Sequence, residues 1–172
     1  MSDLKMHTDN IKAGESWLEK IKRYIPGYDG YVNKDNMREL DTLLRNRLAE
    51  KLESNKTHIK NAVLTLSQSG KLFETANIEK LEKKNENIIS KFKSAARGYS
   101  GAFDIKKVNE DTLNRLYEFD YNLFSYAENI NKDFSDLELK AKTDIKDQIE
   151  LVSKNLDDFL EKFSERENIL RQ

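Results

Sequence analysis

The chain contains no cysteine. Disulfide frameworks, thiolate metal sites and cysteine nucleophiles are therefore excluded. Among its 172 residues there is one proline, Pro26, and there are two histidines, His7 and His58. A carboxylate di-metal centre in a helical bundle needs Glu-x-x-His pairs projecting inward, but His58 has Asn55 three residues before it and His7 lies in a polar leading stretch. No Gly-x-x-x-x-Gly-Lys-Ser/Thr loop occurs, and the alternating strands of a dinucleotide-binding unit are absent from the pattern. No segment approaches the ~18 uninterrupted apolar residues of a membrane span, and residues 1–13 lack the apolar run of a signal peptide. These absences point to a soluble, cytoplasmic protein with no cofactor and no metal.

What is present favours helix. Charged residues make up 35% of the chain, and Leu, Lys, Glu, Ile and Asn dominate, as they do in long surface-exposed helices. The length suits one domain with a continuous core. Residues 1–14 are polar and aperiodic and read as a flexible tail, leaving residues 15–172 as a single helical-bundle domain. Ser16 and Glu19 form a capping-box pattern that opens a short helix carrying Trp17, Leu18, Ile21, Tyr24 and Ile25, and Pro26 ends it. A second helix is expected over about residues 34–69, with the stripe Met37, Leu40, Leu44, Leu48 and Leu52 resuming at Ile59, Val63 and Leu66 after a polar break at residues 54–57. Gly70 is its expected C′ residue.

A third helix is expected over about residues 75–97, with Ile78, Leu81, Ile88 and Phe92 on one side. Asn109 is the expected N-cap of a fourth, reaching about residue 131 and loaded with Leu113, Leu116, Tyr117, Phe119, Leu123, Phe124, Tyr126 and Ile130. It is the candidate for the most buried helix. Ser135 with Glu138 reads as a second capping box that opens a fifth helix. The predicted fold is all-α: an up-and-down antiparallel bundle of four long helices preceded by one short helix.

In the fifth helix, Ile145, Ile149, Val152, Leu156, Phe159 and Phe163 follow one another at spacings of 4, 3, 4, 3 and 4, a coiled-coil seam. Packing within its own bundle is one reading, and a partner-helix seam that makes a homodimer is the other. Charge is also divided along the chain. From Ile11 to Lys107 there are 20 Lys and Arg against 13 Asp and Glu, and from Val108 onward 9 against 16. Basic helices lying beside acidic ones is the plain explanation, and a two-faced surface is the alternative.

Two stretches share a glycine-aromatic pattern. Ile25-Pro26-Gly27-Tyr28-Asp29-Gly30-Tyr31 and Ala96-Arg97-Gly98-Tyr99-Ser100-Gly101 each lie between helices, and counting reversals puts both at one end of the bundle. That end would gather Tyr28, Tyr31, Arg97, Tyr99 and Phe103. Asp120 shares a helical face with Leu113, Leu116 and Phe124, so it is expected to be partly buried and to need a cation such as Arg97 or Arg38. A structural ion pair is the favoured role for it over catalysis.

These two stretches, with Arg38, Asp41 and Leu44 after the first and Leu116-Tyr117-Glu118-Phe119-Asp120 after the second, resemble a family of small, uncharacterised helical proteins of bacteria and archaea. The resemblance spans about Tyr24 to Ala127. It implies emphasis on the two turns and on the Asp120 region, and it brings no activity with it. The C-terminal seam lies outside it.

The function expected is that of a non-catalytic interaction or scaffold protein with a protein partner. A small-ligand binder or enzyme, with its pocket at the Gly-Tyr-x-Gly end and Tyr28, Tyr31, Arg97, Tyr99, Phe103 and Asp120 as binding residues, is the alternative. A third is peripheral binding to anionic membrane through the basic helices. Nucleic-acid binding is disfavoured, because acids are interleaved among the basic residues and the pI is about 6.2.

Overall fold

A computed structural model describes residues 16–31, 34–94 and 109–171. They form six helices: α1 Trp17–Tyr24, α2 Lys34–Glu53, α3 Asn55–Gln68, α4 Leu72–Ser94, α5 Glu110–Lys140 and α6 Lys146–Arg171. The fold is the all-α bundle expected, with α2 and α3 together forming one long arm. Arg97, Tyr99 and Phe103, and with them the second glycine-aromatic stretch, lie outside the described residues.

Local chemistry explains most boundaries. The Ser16 side chain accepts from the Glu19 amide at 3.3 Å while the Glu19 carboxylate accepts from the Ser16 amide at 3.2 Å, completing the capping box of α1. Asn109 caps α5 by accepting from the Thr112 amide at 2.8 Å. Gly70, at φ +70°, ends α3, and the Lys71 amide reaches back to the Leu66 carbonyl at 3.0 Å.

Two boundaries differ from expectation. The long second helix is interrupted at Ser54, where three buried or half-buried asparagines converge. Asn85 of α4 donates to the Leu52 carbonyl at 3.0 Å, Asn131 of α5 donates to the Lys51 carbonyl at 2.8 Å, and Asn55 donates to the Asn85 side-chain oxygen at 3.0 Å. Asn131 also donates to the Asn55 side-chain oxygen. Side chains that compete for helix carbonyls disturb the ladder, so the polar break in the sequence becomes a one-residue interruption held by two neighbours. The Ser135–Glu138 pattern, in contrast, opens no helix: α5 runs through it to Lys140. Glu138 is instead held from α3, by His58 Nδ1 at 2.5 Å and by the Asn61 amide at 2.9 Å. The reversal comes at residues 141–145, where the Asp144 carboxylate accepts from the Lys146 amide at 3.0 Å.

Each arm runs opposite to the one before it in the chain. α2 packs on α4 and α5, α3 on α4 and α5, and α6 on α4 and α5, while α1 lies on α5. α4 and α5, although consecutive, therefore stand across the bundle from each other. The α2–α3 arm and α5 run in step, as the Tyr31–Tyr117, Lys51–Glu128 and His58–Glu138 contacts show. α4 and α6 do the same through Lys84–Asp157 and Phe92–Phe163. Basic and acidic helices thus lie side by side, with Lys51 to Glu128 at 3.3 Å and Lys84 to Asp157 at 2.7 Å.

The C-terminal seam faces the molecule's own core. Ile145, Val152, Leu156, Phe159 and Phe163 are buried and Ile149 packs partly buried against them. Phe92 of α4 meets Phe159 at 5.6 Å and Phe163 at 4.6 Å between ring centroids. Of the two readings of this stripe, packing within its own bundle is the one these contacts match: its apolar side chains are covered by α4 and α5. Among the described residues no helix is long and apolar enough to cross a membrane.

Candidate functional site

The glycine-aromatic turn after α1 folds inward. Pro26 prevents the helix from continuing, and Gly27 and Gly30 take φ values of +88° and +94°. Gly30 is also a close approach: a Cβ there would lie 3.1 Å from both a Leu18 methyl and the Tyr117 hydroxyl. The turn thereby aims Tyr28 and Tyr31 into the bundle, where both are buried. Tyr31 stacks on Tyr117 with parallel ring planes and centroids 5.6 Å apart, and Tyr28 meets both edge-on.

The two hydroxyls converge on Asp120. Tyr28 and Tyr31 each donate to its Oδ2 at 2.5 Å, and Arg166 of α6 donates through Nε to Oδ1. Arg166 also donates through Nη1 to Asp41 of α2 at 2.5 Å and through Nη2 to the Tyr31 hydroxyl at 2.9 Å. The second oxygen of Asp41 accepts from Arg45 Nε at 2.7 Å, and Arg45 Nη2 reaches Glu167 at 2.8 Å. The Arg45 guanidinium lies over the Phe163 ring at 4.6 Å. The Tyr117 hydroxyl accepts from the Tyr31 amide at 3.0 Å.

Two aspartates and two arginines are thus buried together, with two neutral phenols. Burial alone pushes the Asp41 carboxyl up, but the Arg166 and Arg45 guanidiniums outweigh it and hold Asp41 below its ordinary value. Burial pushes the Tyr28 and Tyr31 hydroxyls up, and the Asp120 charge pushes them further, well above the usual phenol value. Burial opposes the charge on Arg166, and Asp120, Tyr31 and Asp41 more than restore it. Every ionised group has an opposite charge and hydrogen bonds, the condition under which buried ions are tolerated.

Of the residues expected at a binding site, the structure brings together Tyr28, Tyr31 and Asp120. It does so in the interior, not as a shallow surface lined by exposed ring faces. The cation for Asp120 is neither Arg38, which is exposed, nor Arg97, which is outside the described residues; it is Arg166. Arg166, Arg45 and the inward role of Tyr117 are not among the residues the sequence pattern singles out. One signal was available: the spacing of the α6 seam, continued three residues past Phe163, lands on Arg166. A carboxylate wholly buried and engaged by three side chains is poorly placed to take a proton from a solvent-borne substrate, so the arrangement acts as a tie between the α1–α2 turn, α2, α5 and α6.

The surface carries other features. Among the described residues the most exposed large apolar side chains are Leu72, Phe73 and Leu139, at 74%, 77% and 76%. Leu72 and Phe73 begin α4 and Leu139 ends α5, so all three sit near the α3–α4 and α5–α6 turns. These turns are joined by the Lys71 ammonium, which donates to the Thr143 carbonyl at 2.6 Å. No protein-family model, curated protein or solved structure matches this chain.

Proposed function

We propose that the chain is a non-catalytic helical interaction protein, and that it engages a partner protein through the end of the bundle formed by the α3–α4 and α5–α6 turns. The observation that carries this reading is the exposure of Leu72, Phe73 and Leu139 at that end. Large apolar side chains held in water are costly, and where several occur at one end of a molecule they mark contact surface. The opposite end has its tyrosines and carboxylates engaged with one another in the interior, which supports a structural role there.

The Lys71–Thr143 bond favours the same end, because it fixes the two turns relative to each other and so presents their apolar residues from a rigid base. The test is affinity capture from native cytosol followed by titration of the captured protein in purified form. Wild type is compared with a Leu72→Ser, Phe73→Ser, Leu139→Ser variant whose helicity and thermal midpoint match. Loss of one partner by the folded variant, with at least about tenfold weaker binding in the purified pair, is the expected result. Equal recovery and equal affinity would sink the proposal.

A further inference from the structure

Beyond the interaction end, α5 and α6 leave an open groove of about 320 Å³ on the outside of the bundle. One wall is a row on α5: Arg115, Phe119, Asn122 and Tyr126, at spacings of 4, 3 and 4, which puts them on one face over a length of about 16 Å. α1 covers a different face of the same helix, through Tyr121 and Phe124. Lys162 of α6 closes the side of the groove and Glu118 flanks it.

The chemistry of this groove runs against its surroundings. The hairpin of α5 and α6 belongs to the acidic part of the chain, yet the groove is lined by two cations and one carboxylate. Lys162 is already paired with Glu165 at 3.0 Å. Arg115 is not: among the described residues it has no ion-pair or hydrogen-bond partner. One turn along from it stands the half-buried ring of Phe119, and two turns further the Tyr126 ring, 37% exposed, lies beside Lys162. A planar guanidinium with its donors free, next to aromatic faces, matches a ligand with a carboxylate on a ring. The Asn122 amide between the rings can donate to or accept from a substituent on it.

We propose that the groove binds a small aromatic carboxylate, with the carboxylate taken by Arg115 and the ring laid against Phe119 and Tyr126. The site is independent of the protein-contact end, which lies at the far turns. An arginine–carboxylate fork sets the orientation, and the aromatic row sets the preference for a flat, unsaturated body. A ligand of this size in an open groove binds in the millimolar range or tighter.

The test uses the full chain labelled with ¹⁵N and titrated with benzoate and with indole-3-acetate, with acetate and benzamide as controls that lack the ring or the charge. Saturable shifts confined to amides around Arg115, Phe119, Asn122, Tyr126 and Lys162 are expected for the two aromatic acids, and at least about tenfold weaker binding for either control. Arg115→Gln, a surface change that leaves the core untouched, should weaken the aromatic acids about tenfold, and Phe119→Leu should abolish their advantage over acetate. The proposal is overturned by no saturable shift up to about 10 mM, by benzamide binding as well as benzoate, or by Arg115→Gln leaving the affinity unchanged.

Discussion

At the scale of single residues, Arg166 is the side chain with the most to lose. Its guanidinium neutralises Asp120 and Asp41 and donates to Tyr31, all in the interior. Replacing it by leucine leaves two carboxylates buried with only Arg45 beside them, and breaking a buried pair in this way costs about 3–5 kcal/mol. We therefore expect Arg166→Leu to lower the free energy of unfolding in urea by about that amount, whereas Arg115→Gln, at the surface, changes it by less than about 0.5 kcal/mol. Equal and small effects would mean that the network contributes little. The tie between Asp120 and a cation was legible in the sequence as a requirement, since a carboxylate on an apolar face needs one. The identity of the cation was not, because 46 residues separate Asp120 from Arg166 and only the packing of α6 on α5 brings them together.

At the scale of helices, the caps and stops were legible because they are local: Ser16 with Glu19, Asn109 and Gly70 each act within a few residues. The Ser135–Glu138 pattern shows the limit of such reading. The same residue types occur in the middle of α5, where Glu138 answers to His58 and Asn61 on another helix and not to Ser135. The interruption at Ser54 is legible only as a polar stretch, since the asparagines that fix it from other helices belong to α4 and α5. The period of the α6 stripe is legible in the sequence, but period alone does not say whether the facing helix belongs to the same chain. Phe159, buried against Phe92, supplies a test. Phe159→Ala should destabilise the protein by about 3–5 kcal/mol with a thermal midpoint that does not change with protein concentration. A midpoint that rises steeply with concentration would instead assign the stripe to an interface between copies.

At the scale of the whole molecule, the network couples ionisation to unfolding. Tyr28 and Tyr31 have folded-state values raised well above the ordinary phenol value by burial and by Asp120. The unfolded chain therefore releases these protons first as pH rises. Their contribution to stability is complete below about pH 10 and is lost progressively above it. We expect the free energy of unfolding to fall as pH is raised beyond about 10, with tyrosinate absorbance from these two rings appearing only together with loss of helicity. In a Tyr28→Phe, Tyr31→Phe variant the decline should be shallower. Tyrosinate signal from both rings in a fully helical molecule would contradict their burial between four elements.

The distances along the chain within that network bear on how the protein is made. Arg166 meets Asp41 across 125 residues and Tyr31 across 135. While the chain is still on the ribosome, Asp120 emerges well before the guanidinium that neutralises it. Until α6 arrives, Tyr28 and Tyr31 can reach Asp120, but that carboxylate and Asp41 lack the Arg166 guanidinium that neutralises them in the folded protein. Closure of this end therefore needs α6 in place, because a carboxylate buried without its cation is costly, and the charges that hold the finished end together oppose its collapse without Arg166.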